Sequence, residues 1–231
     1  MKALHCLALL LALFFAGCSK PVPPLGSGVD PSVKGEWKSE RNYANDHFKF
    51  ALAIPADWEL QKGDEESLKF MFQLLEKAPG GERAIEEFRK KSVKSHAPLR
   101  AVAQSEQVAP ERKSNVLVTI ESLEGKTAVN TGEDFLKSAE ETMKSIPGGP
   151  QFDGPATQAT VNGISFWTRT STLKVNGGEG VLWSGAGGYA IHQRGYATVK
   201  GGYGLMILCT WTTSGEDPTE KFIREGLTAL K

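Results

Sequence analysis

The chain has 231 residues, with 27 basic side chains balanced by 27 acidic ones and 40% hydrophobic residues. That balance gives no electrostatic case for nucleic acid or an anionic membrane surface as the partner. The composition is that of an ordinary globular chain, and three cysteines are too few for a disulfide framework.

Residues 1–18 read MKALHCLALLLALFFAGC. Lys2 supplies a short positive start, an apolar run follows from Ala3 to Phe15, and small Ala16 and Gly17 lead into Cys18. This is a secretory signal with its processing site, too short to span a bilayer as a mature helix. Phe15-Ala16-Gly17-Cys18 resembles a bacterial lipobox, with Phe in place of the usual aliphatic residue. The resemblance implies that residues 1–17 are removed and that Cys18 carries acyl chains such as palmitate. Ser19 after that cysteine resembles the outer-membrane sorting pattern of two-membrane bacteria. Cys6 leaves with the signal, so Cys209 stands alone and no intramolecular disulfide is expected. Within GLMILCTW it reads as a buried, inert thiol.

Residues 18–36 are rich in Pro, Gly and Ser, and the sequence predicts a flexible tether there. Such a tether would reach at most about 60 Å extended and about 25 Å as a coil. A single domain is then expected over 37–231, long enough to bury its own core. Phe48, Phe50, Leu52 and Ile54 alternate as a half-buried strand that Pro55 ends, and a turn or short strand begins at Trp58. Over 64–95 the spacing becomes helical, first through Leu68, Met71, Phe72 and Leu75, then through Ile85 and Phe88 after Pro79-Gly80-Gly81. Strands are predicted at 99–105 and 116–123. A helix capped by Thr131 follows, with a stripe of Phe135, Leu136, Ala139, Met143 and Ile146.

The last third reads as sheet. Asn162-Gly163 between 156–161 and 164–175 is a hairpin signal. Gly-rich turns near 176–178 and 201–202 separate strands at 181–184, 189–200 and 205–213. The 205–213 run is apolar on both faces and therefore central. Asp217-Pro218-Thr219-Glu220 opens a closing helix whose stripe is Phe222, Ile223, Leu227 and Leu230. The fold class is α+β, an antiparallel sheet in a sandwich with helices.

The segment Phe48-Lys49-Phe50-Ala51-Leu52-Ala53-Ile54-Pro55-Ala56-Asp57-Trp58 resembles the F-x-(I/F)-x-x-P-x-x-W opening of PsbP-like proteins, and the later order of elements agrees. The resemblance covers roughly 43–58 and 99–231, with 64–95 as a helical insertion. It implies helices on both faces of the sheet (an α/β/α sandwich) and a binding or assembly role rather than catalysis. No metal or partner-binding residue of that family matches here position by position.

Nothing in the motifs calls for a cofactor or metal. His47, His96 and His192 have no ligand spacing, no G-x-S-x-G occurs, and the 184–189 glycines lack the Lys-Ser/Thr of a phosphate loop. One cluster stands out as a partner surface: His192, Arg194 and Tyr196 share a strand face, with Trp167 and Arg169 on the preceding hairpin. Against it stands the ordinary reading of such alternation as the wet side of a sheet. The expected function is a non-enzymatic binding module anchored in the envelope by its lipid, with a protein partner. The alternatives are a carrier or sensor of a small apolar ligand or lipid between the sheet and residues 64–95, and a hydrolase in which His192 meets a carboxylate.

Overall fold

In the computed structural model, residues 23–76, 85–86, 89–90, 92–104, 106, 108, 113–144, 150–175, 189–212 and 217–231 are described. The alternating run becomes β3 (Phe50–Ala53), with Phe48, Phe50, Leu52 and Ile54 all buried. It pairs with β2 (Asn42–Asn45) and with the C-terminal β11 (Leu227–Ala229). With β1 (Glu36–Ser39) these make a four-stranded sheet in the order β1-β2-β3-β11.

The larger sheet has seven antiparallel strands. They are β4 (Trp58–Lys62), β5 (Ser95–Ala103), β6 (Asn115–Ser122), β7 (Gln151–Val161), β8 (Ile164–Val175), β9 (Tyr189–Lys200) and β10 (Tyr203–Trp211). Their order is β4-β5-β6-β10-β9-β8-β7, so β10 is the middle strand, as its two apolar faces require. Asn162 and Gly163 both take positive φ in the β7–β8 turn, as do Gly201 and Gly202 in the β9–β10 turn. Three helices lie among the described residues: α1 (Gly63–Glu76) and α2 (Gly132–Lys144), each between strands of the large sheet, and α3 (Pro218–Gly226), between β10 and β11.

One face of the large sheet, through Leu99, Val118, Ile120, Leu205 and Ile207, packs on Tyr43, Phe50 and Leu52 of the small sheet and on Phe222 and Ile223 of α3. On β6 and β10 the intervening residues turn the other way. Leu117 meets Leu68 and Phe72 of α1, and Met206 meets Phe135 and Leu136 of α2. The second sheet is the feature that the sequence reading lacked: the main core is sheet on sheet with α3 beside it.

Several boundaries differ from expectation for local reasons. The closing helix stops at Gly226, where a Cβ would collide with the Ala53 carbonyl, and Leu227 opposes Leu52 as strand instead of extending the helical stripe. Strand β5 starts at Ser95, because Asp64 at the start of α1 accepts the Ala97 N–H at 2.6 Å and lies 3.0 Å from His96 Nδ1. Of the two predicted helices over 64–95, the first is α1. Most of the second, and the turn and strand predicted at 176–184, lie outside the described residues.

The expected tether is docked along much of its length. Leu25, Val29 and Val33 are buried, the Gly26 and Gly28 N–H groups donate to the Ser92 and Val93 carbonyls, and Asp30 caps a short 3₁₀ turn at Pro31–Val33. Three apolar side chains at intervals of four give this segment enough burial to offset its ordering cost, which a Pro/Gly/Ser composition conceals.

Candidate functional site

The β8–β9 register decides the fate of the predicted cluster. Trp167 pairs with Ala197 and Arg169 with Gly195, whereas Thr170 pairs with Arg194 and Thr172 with His192. Directly opposed residues share a face and neighbours in sequence do not. Trp167 and Arg169 therefore lie on one side of the sheet, and His192, Arg194 and Tyr196 on the other. The five residues do not form one surface.

On the first side, Arg169 Nη1 forms an ion pair with Glu140 of α2, the two side chains being only 17% and 7% exposed. The Arg169 guanidinium also lies over the Phe152 ring, 5.1 Å from its centre. Trp167 is half-buried against the cluster of Phe135, Leu136 and Ala197. The helix can approach this closely because Gly132 and Gly195 lack side chains. A Cβ on Gly132 would overlap the Ala197 carbonyl oxygen, and one on Gly195 would sit 3.1 Å from Leu136 Cδ2. These residues fasten α2 to the sheet.

On the second side, Tyr196 is buried in the main core, edge-on to Phe166 with ring centres 5.9 Å apart. Burial raises its phenol pKa against a hydrogen bond with Arg194 that lowers it. Arg194 Nη1 lies 3.5 Å from both Asp217 Oδ2 and Glu220 Oε2, and its guanidinium faces the Trp211 ring. Asp217 caps α3 by accepting from the Thr219 and Glu220 N–H groups through Oδ1. His192 stacks on Trp211 at 5.5 Å, and its Nδ1 is 3.3 Å from Thr172 Oγ1. Arg194 thus ties the α3 cap to the sheet, while the nearby acids lie against Arg194 and not against His192.

Cys209 is buried at the heart of the same core, and desolvation pushes its thiol up to about 12, which keeps it protonated and unreactive at neutral pH. Asp64 is partly buried, which alone would raise its pKa. Hydrogen bonds from His96 and the Ala97 N–H, together with the charges of His96 and Lys34, outweigh this and lower it. Among the described residues no three His, Cys, Asp or Glu side chains gather as a metal site. No helix among them is long and apolar enough to cross a membrane.

The surface grooves among the described residues include two of similar size. One, of about 330 Å³, lies between the sheets and is lined by Phe48, Lys49, Ile164, Thr198, Lys200 and Leu230 among others. The other, of about 260 Å³, runs beside α1 and is lined by Glu59, Gln61, Lys69, Gln73, Arg100, Val102, Gln104 and Lys113. Arg100 is 7% exposed. Burial lowers its pKa to about 10, against the pull of Glu59, so it remains a cation at neutral pH. Sequence reasoning passed over Arg100. The available signal was an arginine set in the apolar run Leu99–Ala103, where a charge stays only if partners receive it.

No family model matches this chain, and no curated protein matches it. Solved structures do. A crystal structure of LpqN, a protein described as involved in cell envelope biogenesis of Mycobacterium tuberculosis, is similar at 16% identity and a TM-score of 0.41, over 79% of this chain and 83% of that one. The solution structure of cyanobacterial PsbP from Synechocystis is similar at 11% identity and a TM-score of 0.45, over 82% of this chain and 91% of that one. A crystal structure from Bacteroides thetaiotaomicron is similar at 10% identity and a TM-score of 0.38, over 83% and 48% respectively. PsbP, the family that the Phe48–Trp58 segment resembles, is thus among the structures to which this chain is similar.

Proposed function

We propose that this chain is an envelope protein held to its membrane by lipid on Cys18, and that its body is a binding or assembly module for another envelope component rather than an enzyme. The observation that carries the reading is the apolar run ending in Phe15-Ala16-Gly17-Cys18, with Ser19 favouring the outer membrane where the source has two. The body behind it supports the same reading. The charged and aromatic groups most suggestive of chemistry are engaged in fastening helices to the sheet, Arg169 with Glu140 and Arg194 with Asp217 and Glu220.

A mass spectrum of the mature protein tests the anchor directly. The expected N-terminus is Cys18 with acyl mass added, and Cys18→Ser should move the protein from the detergent phase to the aqueous phase. An unmodified N-terminus elsewhere, or a Cys18→Ser chain still in the detergent phase, overturns the reading. A pull-down from detergent-solubilised membranes tests the module: a stable protein partner supports assembly, and co-purifying lipid points to a carrier.

A further inference from the structure

Among the described residues, four strands lie at the edges of the two sheets, and three of them are protected. β1 has four residues and carries the Glu36–Lys38 ion pair. β4 has five, with Glu59 and Lys62 among them, and its Trp58 carbonyl accepts from Arg41. β11 has three, and its Leu227 carbonyl accepts from the Asn162 side chain at 2.7 Å. Short length, charge and capping are the usual means of keeping a sheet edge from adding another strand.

β7 lacks them. It has eleven residues, none of them buried, and no charged side chain occurs over 154–168. A bulge between Asp153 and Thr157 interrupts its first half, where Pro155 has no N–H to offer. Its second half, residues 157–161, runs in regular register against 164–168 of β8. The two-residue turn at Asn162-Gly163 makes Val161 and Ile164 a hydrogen-bonded pair. By the alternation of an antiparallel ladder, Ala159 and Thr157 also bond to β8, and the N–H and C=O groups of Gln158 and Thr160 point outward.

That open edge is self-complementary. About a two-fold axis through Ala159, Gln158 opposes Thr160 of a second copy, and Thr157 opposes Val161. Polar residues meet polar ones, β-branched residues meet β-branched ones, and the outward groups of Gln158 and Thr160 supply four backbone hydrogen bonds. With no charge in the stretch, the axis brings no like charges together. Ala159 meets its own copy in a non-hydrogen-bonded pair, where Cα atoms are about 4.5 Å apart and a small side chain fits.

We propose that β7 pairs with β7 of a second copy of this chain, antiparallel and centred on Ala159, so that the two seven-stranded sheets become one continuous sheet. Two five-residue edges bury far less than the roughly 1,200–2,000 Å² of a stable interface, so the dimer is weak in solution. Confinement of two lipid-anchored copies to one membrane raises their effective concentration, and that step alone rests on the anchor reading.

The test uses the chain from Ser19 onward, which keeps every described residue and carries no lipid. Sedimentation equilibrium up to millimolar concentration is expected to show monomer and dimer in exchange. Ala159→Cys sets two thiols across the axis at a separation that a disulfide spans, so mild oxidation should give a covalent dimer. Gln151→Cys, at the far end of β7, should not, and the buried Cys209 does not compete. Gln158→Glu with Thr160→Glu opposes like charges twice across the axis and should weaken the dimer about ten-fold. Gln158→Lys with Thr160→Lys should do the same, and mixing the two double variants should restore pairing as a heterodimer. Both positions are exposed, and an unchanged Tm confirms that each variant is folded. A wild-type chain that stays monomeric at millimolar concentration overturns the proposal, as does a dimer indifferent to both double variants. A photo-crosslinker at Gln158 that captures a different envelope protein, with the chain monomeric alone, also overturns it and reassigns the edge to a strand from that protein. An unacylated Cys18, by contrast, refutes the anchor and leaves the pairing in solution standing.

Discussion

Replacing Glu140 by alanine asks whether Arg169 is a ligand-binding group or a fastener. The wild-type pair is nearly dry, with side chains 7% and 17% exposed, and Arg169 Nε already lacks a hydrogen-bond partner. Removing the carboxylate leaves a buried guanidinium facing α2 with the Phe152 ring as its remaining aromatic contact. Breaking a buried pair in this way costs about 3–5 kcal/mol, and the partial exposure of Arg169 argues for the lower end. A domain of this size shifts by about 2–4 °C per kcal/mol, which predicts a Tm lowered by about 6–20 °C. Calorimetry and urea unfolding read this directly. The companion variant, Glu140→Leu with Arg169→Met, removes both charges and should recover most of the loss, since an apolar pair of similar volume is often neutral or better. A loss from Glu140→Ala below about 1 kcal/mol, the range of a solvated surface pair, would refute the fastener assignment and return Arg169 to the list of groups available to a partner.

Leu25→Ala should cost about 2–3 kcal/mol locally. It would free the strap rather than the core, so faster amide exchange at Gly26 and Gly28 with little change at β6 and β10 is expected. Gly132→Ala forces a methyl against the Ala197 carbonyl and the Trp167 ring; overpacking of this kind costs about 1–3 kcal/mol, and a Tm equal to wild type would show that α2 can move outward freely. The lowered pKa of Asp64 makes the α1–β5 junction acid-labile. A carboxyl depressed in the folded state contributes stability above its unfolded value of about 3.9, and that contribution is lost as pH falls through the folded value. Asp64→Asn should therefore destabilise the protein at pH 7 and show a shallower loss of stability below about pH 4 than wild type, measured by urea unfolding across pH.

Local signals carried far along this chain. Alternation at Phe48–Ile54 and Leu205–Trp211, the Asn162-Gly163 turn, the Thr131 start of α2 and the Asp217 cap of α3 each reflect contacts within a few residues, and each is present in the structure. Alternation along β9 also put His192, Arg194 and Tyr196 on a common face correctly. It had no means of placing Trp167 and Arg169, because their face depends on the register between β8 and β9, across a connection that carries no such pattern. The burial of Tyr196 was equally hidden, since a tyrosine has an apolar body that suits a core and a hydroxyl that suits water.

The amino-acid sequence by itself determined the hairpin turn at Asn162-Gly163, the antiparallel character of the C-terminal half and the centrality of β10. All of these follow from composition, period and turn chemistry over short spans. Tertiary structure alone decided that β11 returns to β3 to build a second sheet, that the segment from Leu25 to Val33 lies docked, and that the buried Arg100 lines a groove beside α1. Each of those depends on residues far apart in sequence meeting in space, Leu227 with Leu52, Leu25 with Phe72, and Arg100 with Gln61. Their joint burial and pairing energy is set by packing and register, which no local pattern encodes.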